Sequence, residues 1–435
     1  MTGVLKLGLA LLMAGSMWYY FEAILIPYQQ KTPAAIHTQG LSDLYPRWLG
    51  ARELLLHGRD PYSAEVTREI QTGIYGRALD GSLARDEHRF AYPVYVVLLV
   101  APAALIPFPI AETIFRILLA ALTVVSVPLW MQALGLRVQR TTTVAITVLL
   151  LGSLPVVQGL NLVQLTLLVC FLAAGSCMAV ARGHLATAGA LLAIATIKPQ
   201  LVVGLAAWLG LWAFGDWALR KRVVLGFASS MAMLCIGAEC ILPGWFGRWW
   251  ASLHAYLAYV SGRSLPETLL GRTVGLLLCA VVVLGLVVLC WRSRRAPAGS
   301  HAFSTCLVSV FAASLLLNPK FLFYDVVMLL PAALWIFGCR KTLWKRSRAV
   351  RDLFFGGAVL LGWQWFSAAA LVAVSLVSPA AAQRGWGLPI AALLLMPVAS
   401  VSLLGLLAVE FWKHGALSQP VAPVPELWPG VTSRA

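Results

Sequence analysis

Residues 185–214 read LATAGALLAIATIKPQLVVGLAAWLGLWAF, thirty residues interrupted by a single charge, Lys198. A helix needs about 20 apolar residues to cross a bilayer, so this stretch is long enough for one crossing or for a tight hairpin. Comparable apolar runs lie at 5–27, 93–107, 110–134, 142–157, 161–181, 223–242, 273–291, 302–317, 322–338, 353–378 and 388–410. The expected fold class is therefore all-α and integral to the membrane, a polytopic helical bundle of roughly 11–13 spans.

The composition agrees. Of the 435 residues 60% are hydrophobic and 11% charged, whereas soluble domains carry about 25% charged residues. The formal net charge is +16, from 33 Lys and Arg against 17 Asp and Glu. A nucleic-acid partner is excluded, because most of the basic residues sit in short connectors between apolar runs instead of on a polar domain. The eight cysteines fall in or beside apolar runs, at no spacing that suits a metal, so they read as small core hydrophobes and no metal site is expected.

By segment the charge becomes a topology record. Residues 28–92 hold eight basic and eight acidic side chains, and the rest of the chain carries the whole excess. Basic connectors at Arg137/Arg140, Arg182, Arg220–Arg222, Arg292–Arg295 and Arg340–Arg351 mark the cytoplasmic side. Residues 243–272, 318–320 and 379–387 and the neutral island then face outward. The organisation read here is a first transmembrane helix (1–27), kept as an anchor; an extracytoplasmic loop with amphipathic helices (28–92); a polytopic domain (93–410); and a cytoplasmic, disordered tail (411–435). The location is the cell membrane, bacterial inner or plasma membrane, multi-pass. Two full spans between 93 and 134 would put Arg137/Arg140 outside, so either one of those runs is re-entrant at Pro107-Phe108-Pro109 or 185–214 crosses once.

Inside the island, residues 43–63 read DLYPRWLGARELLLHGRDPYS. Leu49, Leu54, Leu55 and Leu56 share one face of a helix and Arg47, Arg52, Glu53 and Arg59 the other, the pattern of a helix lying on the outer membrane surface. Gly58 ends it and Asp60-Pro61 turns the chain. Asp43 precedes it, where an Asp ordinarily serves as an N-cap. Three polar features in or beside apolar sequence map to the same side: Lys198, Lys320 and Asp325. A buried ammonium costs about 2.5–3.5 kcal/mol on insertion scales unless it finds a partner or water, so Lys198 either snorkels to the interface or binds an anion. Gln158, Asn161 and Gln164 flank Gly159 at a break between runs, where hydrogen bonding between helices accounts for them.

A sugar linked to a lipid phosphate would suit these residues. Its phosphate leaves without a general acid but needs a cation beside it, and the incoming hydroxyl needs one carboxylate base. No nucleotide-binding glycine motif and no pair of carboxylates at hydrolase spacing is evident, so the energy would arrive in a preactivated, membrane-borne donor.

The residues resemble a known family, the polytopic GT-C glycosyltransferases, in particular glycosyltransferase family 87, over about residues 5–340. The likeness is carried by Asp43 with Tyr45, the Leu-rich helix, the turn Gly58 to Tyr62 with Asp60 and Tyr62, Tyr92-Pro93 opening the next run, Gly159, Asn161 and Gln164, Lys198-Pro199, and Asn318-Pro319. The resemblance implies a GT-C fold and an inverting transfer of a hexose such as mannose from a polyprenyl-phosphate donor to a membrane lipid or glycan acceptor on the extracytoplasmic face. It implies Asp43 as general base and Lys198 as the donor-phosphate ligand, with no cofactor besides the donor. Tyr324-Asp325 stands where relatives often place His, which makes Lys320 the substitute second phosphate ligand. Tyr45, Asp60, Tyr62, Tyr92, Asn161, Gln164, Tyr324 and Asp325 are the candidate substrate contacts. The alternative is a transporter or flippase of polyprenyl-linked glycans, in which Lys198 holds phosphate but no bond breaks.

Overall fold

The computed structural model describes residues 2–31, 40–79, 88–259, 262–319 and 322–413. Among them the regular elements are all helical. Helices satisfy every backbone N–H and C=O within one segment, the solution that a lipid surround demands. Six are long and apolar enough to cross a membrane: Gly3–Lys31, Phe108–Ala133, Trp217–Ile241, Arg272–Ser293, Arg348–Val377 and the broken stretch Pro379–Trp412. A seventh crossing is available if Arg140–Leu151 and Leu154–Asn161, bent by 55°, act as one. The chain is an all-α polytopic membrane protein.

The span count expected from hydropathy was higher because hydropathy does not register breaks. The 93–107 run folds as Val96–Ala104, nine residues and about 13.5 Å at 1.5 Å per residue, too short to cross. The 185–214 run divides into Leu185–Ala195 and Pro199–Phe214. Five shorter apolar helices, Thr166–Ala181, Leu185–Ala195, Pro199–Phe214, His301–Leu317 and Phe323–Gly338, supply much of the core. The His301–Leu317 helix is buried along nearly its whole length, whereas the long helices Trp217–Ile241 and Arg272–Ser293 expose most of their apolar surface. A helix apolar all round belongs either in a protein core or against lipid, and both kinds occur here.

Close packing in such a bundle relies on small residues. Where Leu185–Ala195 crosses Trp217–Ile241, a Cβ on Gly226 would lie 2.2 Å from the Ala186 carbonyl oxygen, and one on Gly189 2.1 Å from that of Val223. The first span changes pitch in a π-helical turn, Tyr20–Leu25, where the Tyr20 hydroxyl is buried and donates to the Trp386 carbonyl at 2.5 Å.

In the island, the helix Tyr45–His57 ends as expected at Gly58, whose φ of +65° favours glycine. It does not lie on a surface with one polar face. Trp48, Leu49 and Leu54 are buried, but so is Glu53, bonded to Arg59 and His57 at 3.0 Å each, while Leu55 and Leu56 are exposed. The reason is its partner. It packs on Val96–Ala104, and Trp48 Nε1 and Arg52 Nη1 donate to the Ala103 and Ala104 carbonyls at 2.9 and 2.8 Å, satisfying a short helix's otherwise orphaned C-terminus. The amphipathic helix is the next one, Ala64–Tyr75, with Val66, Ile70 and Ile74 buried and Glu65, Arg68 and Glu69 exposed. The helix Trp245–Tyr259 clasps this region. Arg248 pairs with Asp60 at 3.0 Å, and Trp249 Nε1 and Ser252 Oγ donate to the Ala91 and Phe90 carbonyls at 3.2 and 2.9 Å. Residues 414–435, the greater part of the tail expected to be disordered, lie outside the described residues.

Candidate functional site

Asp43 does not cap the helix that follows it. The N-cap position belongs to Leu44, without a side-chain cap bond, and the Leu44 carbonyl accepts from Arg47 and Trp48. The Asp43 backbone N–H instead donates to the Leu162 carbonyl at 3.1 Å, drawing the carboxylate to the break after Leu154–Asn161. There Gln164 Nε2 donates to Asp43 Oδ2. A carboxylate released from capping and held on a side-chain amide is available for proton chemistry.

The Gln164 side chain is placed by an unusual turn. Gln164 N donates back to the Gly159 carbonyl at 2.7 Å and Val163 N to that of Leu160 at 3.3 Å, the paired bonds of a Schellman motif. The residue in the left-handed position is normally Gly; here it is Val163, with φ of +48°. A β-branched residue there is strained by about 1–3 kcal/mol, the kind of distortion that collects at functional sites.

Lys198 enters from the far side. It immediately precedes Pro199, which opens the helix to Phe214; proline disfavours helical geometry in the residue before it, and Lys198 sits at φ −123° and ψ 78°. That kink turns its side chain inward, so it does not snorkel. Lys198 is 5% exposed, and its Nζ donates to Gln164 Oε1 at 2.9 Å and to Thr166 Oγ1 at 2.7 Å. The Thr166 hydroxyl in turn donates to Asp325 Oδ1 at 2.8 Å, while Asp325 itself stands 3.9 Å from Nζ. The ring of Tyr324 faces Nζ at 4.9 Å, within cation–π range. Gln164 thus joins Asp43 to Lys198 through one amide. An ammonium has three donors; two make these hydrogen bonds, and the Asp325 carboxylate and the Tyr324 ring stand beside it.

Tyr92 lies at the other edge, where it bonds to a residue that sequence reading placed on a solvated face. Arg47 Nη2 donates to the Tyr92 hydroxyl at 2.7 Å, with the guanidinium 4.2 Å from the ring centroid. Burial works to lower the Arg47 pKa, but Tyr92, Asp43 and Tyr324 outweigh it and hold the guanidinium charged, above its ordinary value. Tyr62 buttresses this edge, its hydroxyl donating to the Tyr92 carbonyl at 2.6 Å and its ring meeting Phe90 edge-on.

Tyr45, Asp60 and Asn161 fall outside the cluster. Tyr45 packs against Trp48 and Phe108, and its hydroxyl reaches toward Gly73, where burial first and then Glu69 raise its pKa. Asp60 accepts from the Tyr62 backbone N–H at 2.9 Å and from Arg248, a turn-stabilising role. Asn161 is half-buried in the last turn of its helix and takes no part in the hydrogen-bonded chain around Lys198. Lys320 lies outside the described residues. Arg47 and Thr166 are the members that sequence reading did not single out; the available signal for Arg47 was its i+4 spacing from Asp43. Among the described residues there is no group of three or more His, Cys, Asp or Glu that could hold a metal ion.

The sequence profile of glycosyltransferase family 87 matches residues 90–319, more than half of the chain. The chain belongs to glycosyltransferase family 87. The match takes in Tyr92, Gln164, Thr166 and Lys198, with Asp43 and Arg47 ahead of it and Tyr324 and Asp325 beyond it. No curated protein matches the chain. The candidate site of this family 87 glycosyltransferase brings together one carboxylate released from capping, one buried ammonium and one charged guanidinium.

Proposed function

We propose that this family 87 glycosyltransferase moves a sugar, a hexose such as mannose, from a polyprenyl-phosphate donor to a membrane lipid or glycan acceptor, with inversion, at the extracytoplasmic face of the cell membrane. The observation that supports it is the link through Gln164 between Asp43 and Lys198. Asp43 takes the proton of the acceptor hydroxyl as that oxygen attacks the anomeric carbon. The bond from this carbon to the phosphate oxygen breaks, and the phosphate leaves with the electron pair. Lys198 stabilises the developing charge, which is worth more in a dry site than in water. No further cofactor is required, since the donor is already activated. The basic connectors support the outward placement by the positive-inside pattern.

The test uses the purified protein in liposomes with a short-chain polyprenyl-phosphate hexose and an acceptor. Release of free polyprenyl phosphate by the wild type, and its loss in a folded D43N variant, is the expected result. Undiminished transfer by D43N would remove Asp43 from the reaction. Movement of the donor between leaflets without release of polyprenyl phosphate would replace the enzyme reading with a flippase.

A further inference from the structure

Arg116 carries a charge inside a membrane span, and the mechanism above does not use it. It belongs to Phe108–Ala133, about 12 Å along the axis from the start of that helix. A charge at such a depth is costly and ordinarily marks a function. Buried Ala111, Phe115 and Leu119 lie on the core side of the helix and exposed Ile114, Ile117 and Leu118 on the lipid side. Arg116 falls on the seam between the two, its side chain 45% exposed, with Nη2 3.4 Å from Glu112 Oε1 one turn earlier. Its Nε turns back toward the core and donates to the Leu160 carbonyl at 3.2 Å.

That carbonyl belongs to the turn on which the site is built. It also accepts from Val163 N at 3.3 Å, while the Gly159 carbonyl accepts from Gln164 N at 2.7 Å and the Leu162 carbonyl from Asp43 N at 3.1 Å. Residues 159–164 thus hold Asp43 by its backbone and carry the amide that joins it to Lys198. Val163, at φ +48°, resists this shape, and such a residue persists only where its surroundings over-determine it. The bond from Val163 N is long. The guanidinium adds a charge-assisted bond, the stronger kind, to the same oxygen and fixes the Leu160–Asn161 peptide from a different helix.

We propose that Arg116 is a positioning residue for the transfer: it pins the Leu160 carbonyl, and with it the strained turn that sets Asp43 and Gln164. The inference rests on the transfer reading above. Lys198 keeps Thr166 and Asp325 when Arg116 is lost, so donor binding is held while the chemical step slows.

The test is a double-mutant cycle between Arg116 and Val163 in the purified full-length protein in liposomes. It is read by release of polyprenyl phosphate from a short-chain polyprenyl-phosphate hexose and by hydrogen–deuterium exchange of the amides in 159–164. R116M is expected to lower kcat about tenfold, the size of one charge-assisted hydrogen bond, with the donor KM within about twofold. Exchange at Val163 and Gln164 should quicken about tenfold. V163G removes the strain, so in that background R116M is expected to cost less than about twofold on both readouts. V163N, which also tolerates the left-handed conformation, repeats the comparison should glycine loosen the turn. E112Q, added to R116M, is expected to restore nothing. Wild-type rate and exchange in R116M would overturn the proposal. So would a loss that persists undiminished in both Val163 backgrounds, or one that E112Q repairs, since either reports folding or charge pairing alone. A wild type that releases no polyprenyl phosphate would sink the donor reading instead, and the exchange comparison would still judge Arg116.

Discussion

Lys198 Nζ and Asp325 Oδ1 stand 3.9 Å apart, both buried, with the Thr166 hydroxyl bonded to each. The geometry sets a carboxylate beside the lysine in an apolar surround while its nearest hydrogen bonds go to neutral oxygens. Lys198→Met strands the carboxylate, and removing one partner of a buried pair costs about 3–5 kcal/mol. Thermal unfolding in detergent should show that loss. The double variant Lys198→Met/Asp325→Leu should recover most of it, with transfer absent in both. A Lys198→Met protein that melts like the wild type would contradict the pairing.

Gln164 donates to one charged group and accepts from another, and hydrogen bonds to charged groups are worth about 1.5–3 kcal/mol each. Gln164→Leu should therefore slow transfer about 10- to 100-fold, with the donor KM changed less than kcat. Gln164→Glu keeps an acceptor for Lys198 but sets a second carboxylate against Asp43. Initial-rate measurements should place it below the Leu variant.

Tyr62 ties the island to the site through its bond to the Tyr92 carbonyl, and burial, followed by the nearby Asp60, pushes its hydroxyl well above the ordinary value of 10.0. The folded value lies above the unfolded one, so the stability this group supplies is fully present below about pH 10 and is lost as the pH rises through the folded value. Melting curves between pH 7 and 11 should show an alkaline decline that Tyr62→Phe weakens. At neutral pH that variant should lose about 1 kcal/mol, the worth of one ordinary hydrogen bond.

Gly226 and Gly210 offer a contrast within one bundle. A Cβ at Gly226 meets the Ala186 backbone, whereas one at Gly210 meets nothing within 4 Å. Gly226→Ala should destabilise by about 1–3 kcal/mol by forcing two helices apart. Gly210→Ala should be neutral or slightly stabilising, since alanine is the better helix former by about 1 kcal/mol. Paired thermal melts decide.

Helix content, membrane class and family were legible in the chain because apolar runs and ordered motifs are local or sequential signals. Asp43, Gln164 and Lys198 were each visible as polar residues out of place. Their meeting was not, because it depends on breaks at Val163 and Lys198 that hydropathy averages away. Arg47 was hidden by an honest pattern: alternating charge along a helix reads as a solvated face, and only the packing of Tyr45–His57 on Val96–Ala104 shows that the face turns inward. Thr166 was hidden by being a small hydroxyl at the head of an apolar helix, where the usual partner is its own backbone.

The strained Val163 turn makes the site a gauge of its scaffold. A left-handed valine is tolerated only while Leu154–Asn161 and Thr166–Ala181 stay seated on either side of it, and any loosening of these helices relaxes first where the energy is stored. Relaxation there swings Gln164 away from both charges it holds. Activity should therefore vanish before the fold does, and substitutions far from the chemistry along these two helices should silence the enzyme while leaving it inserted and whole.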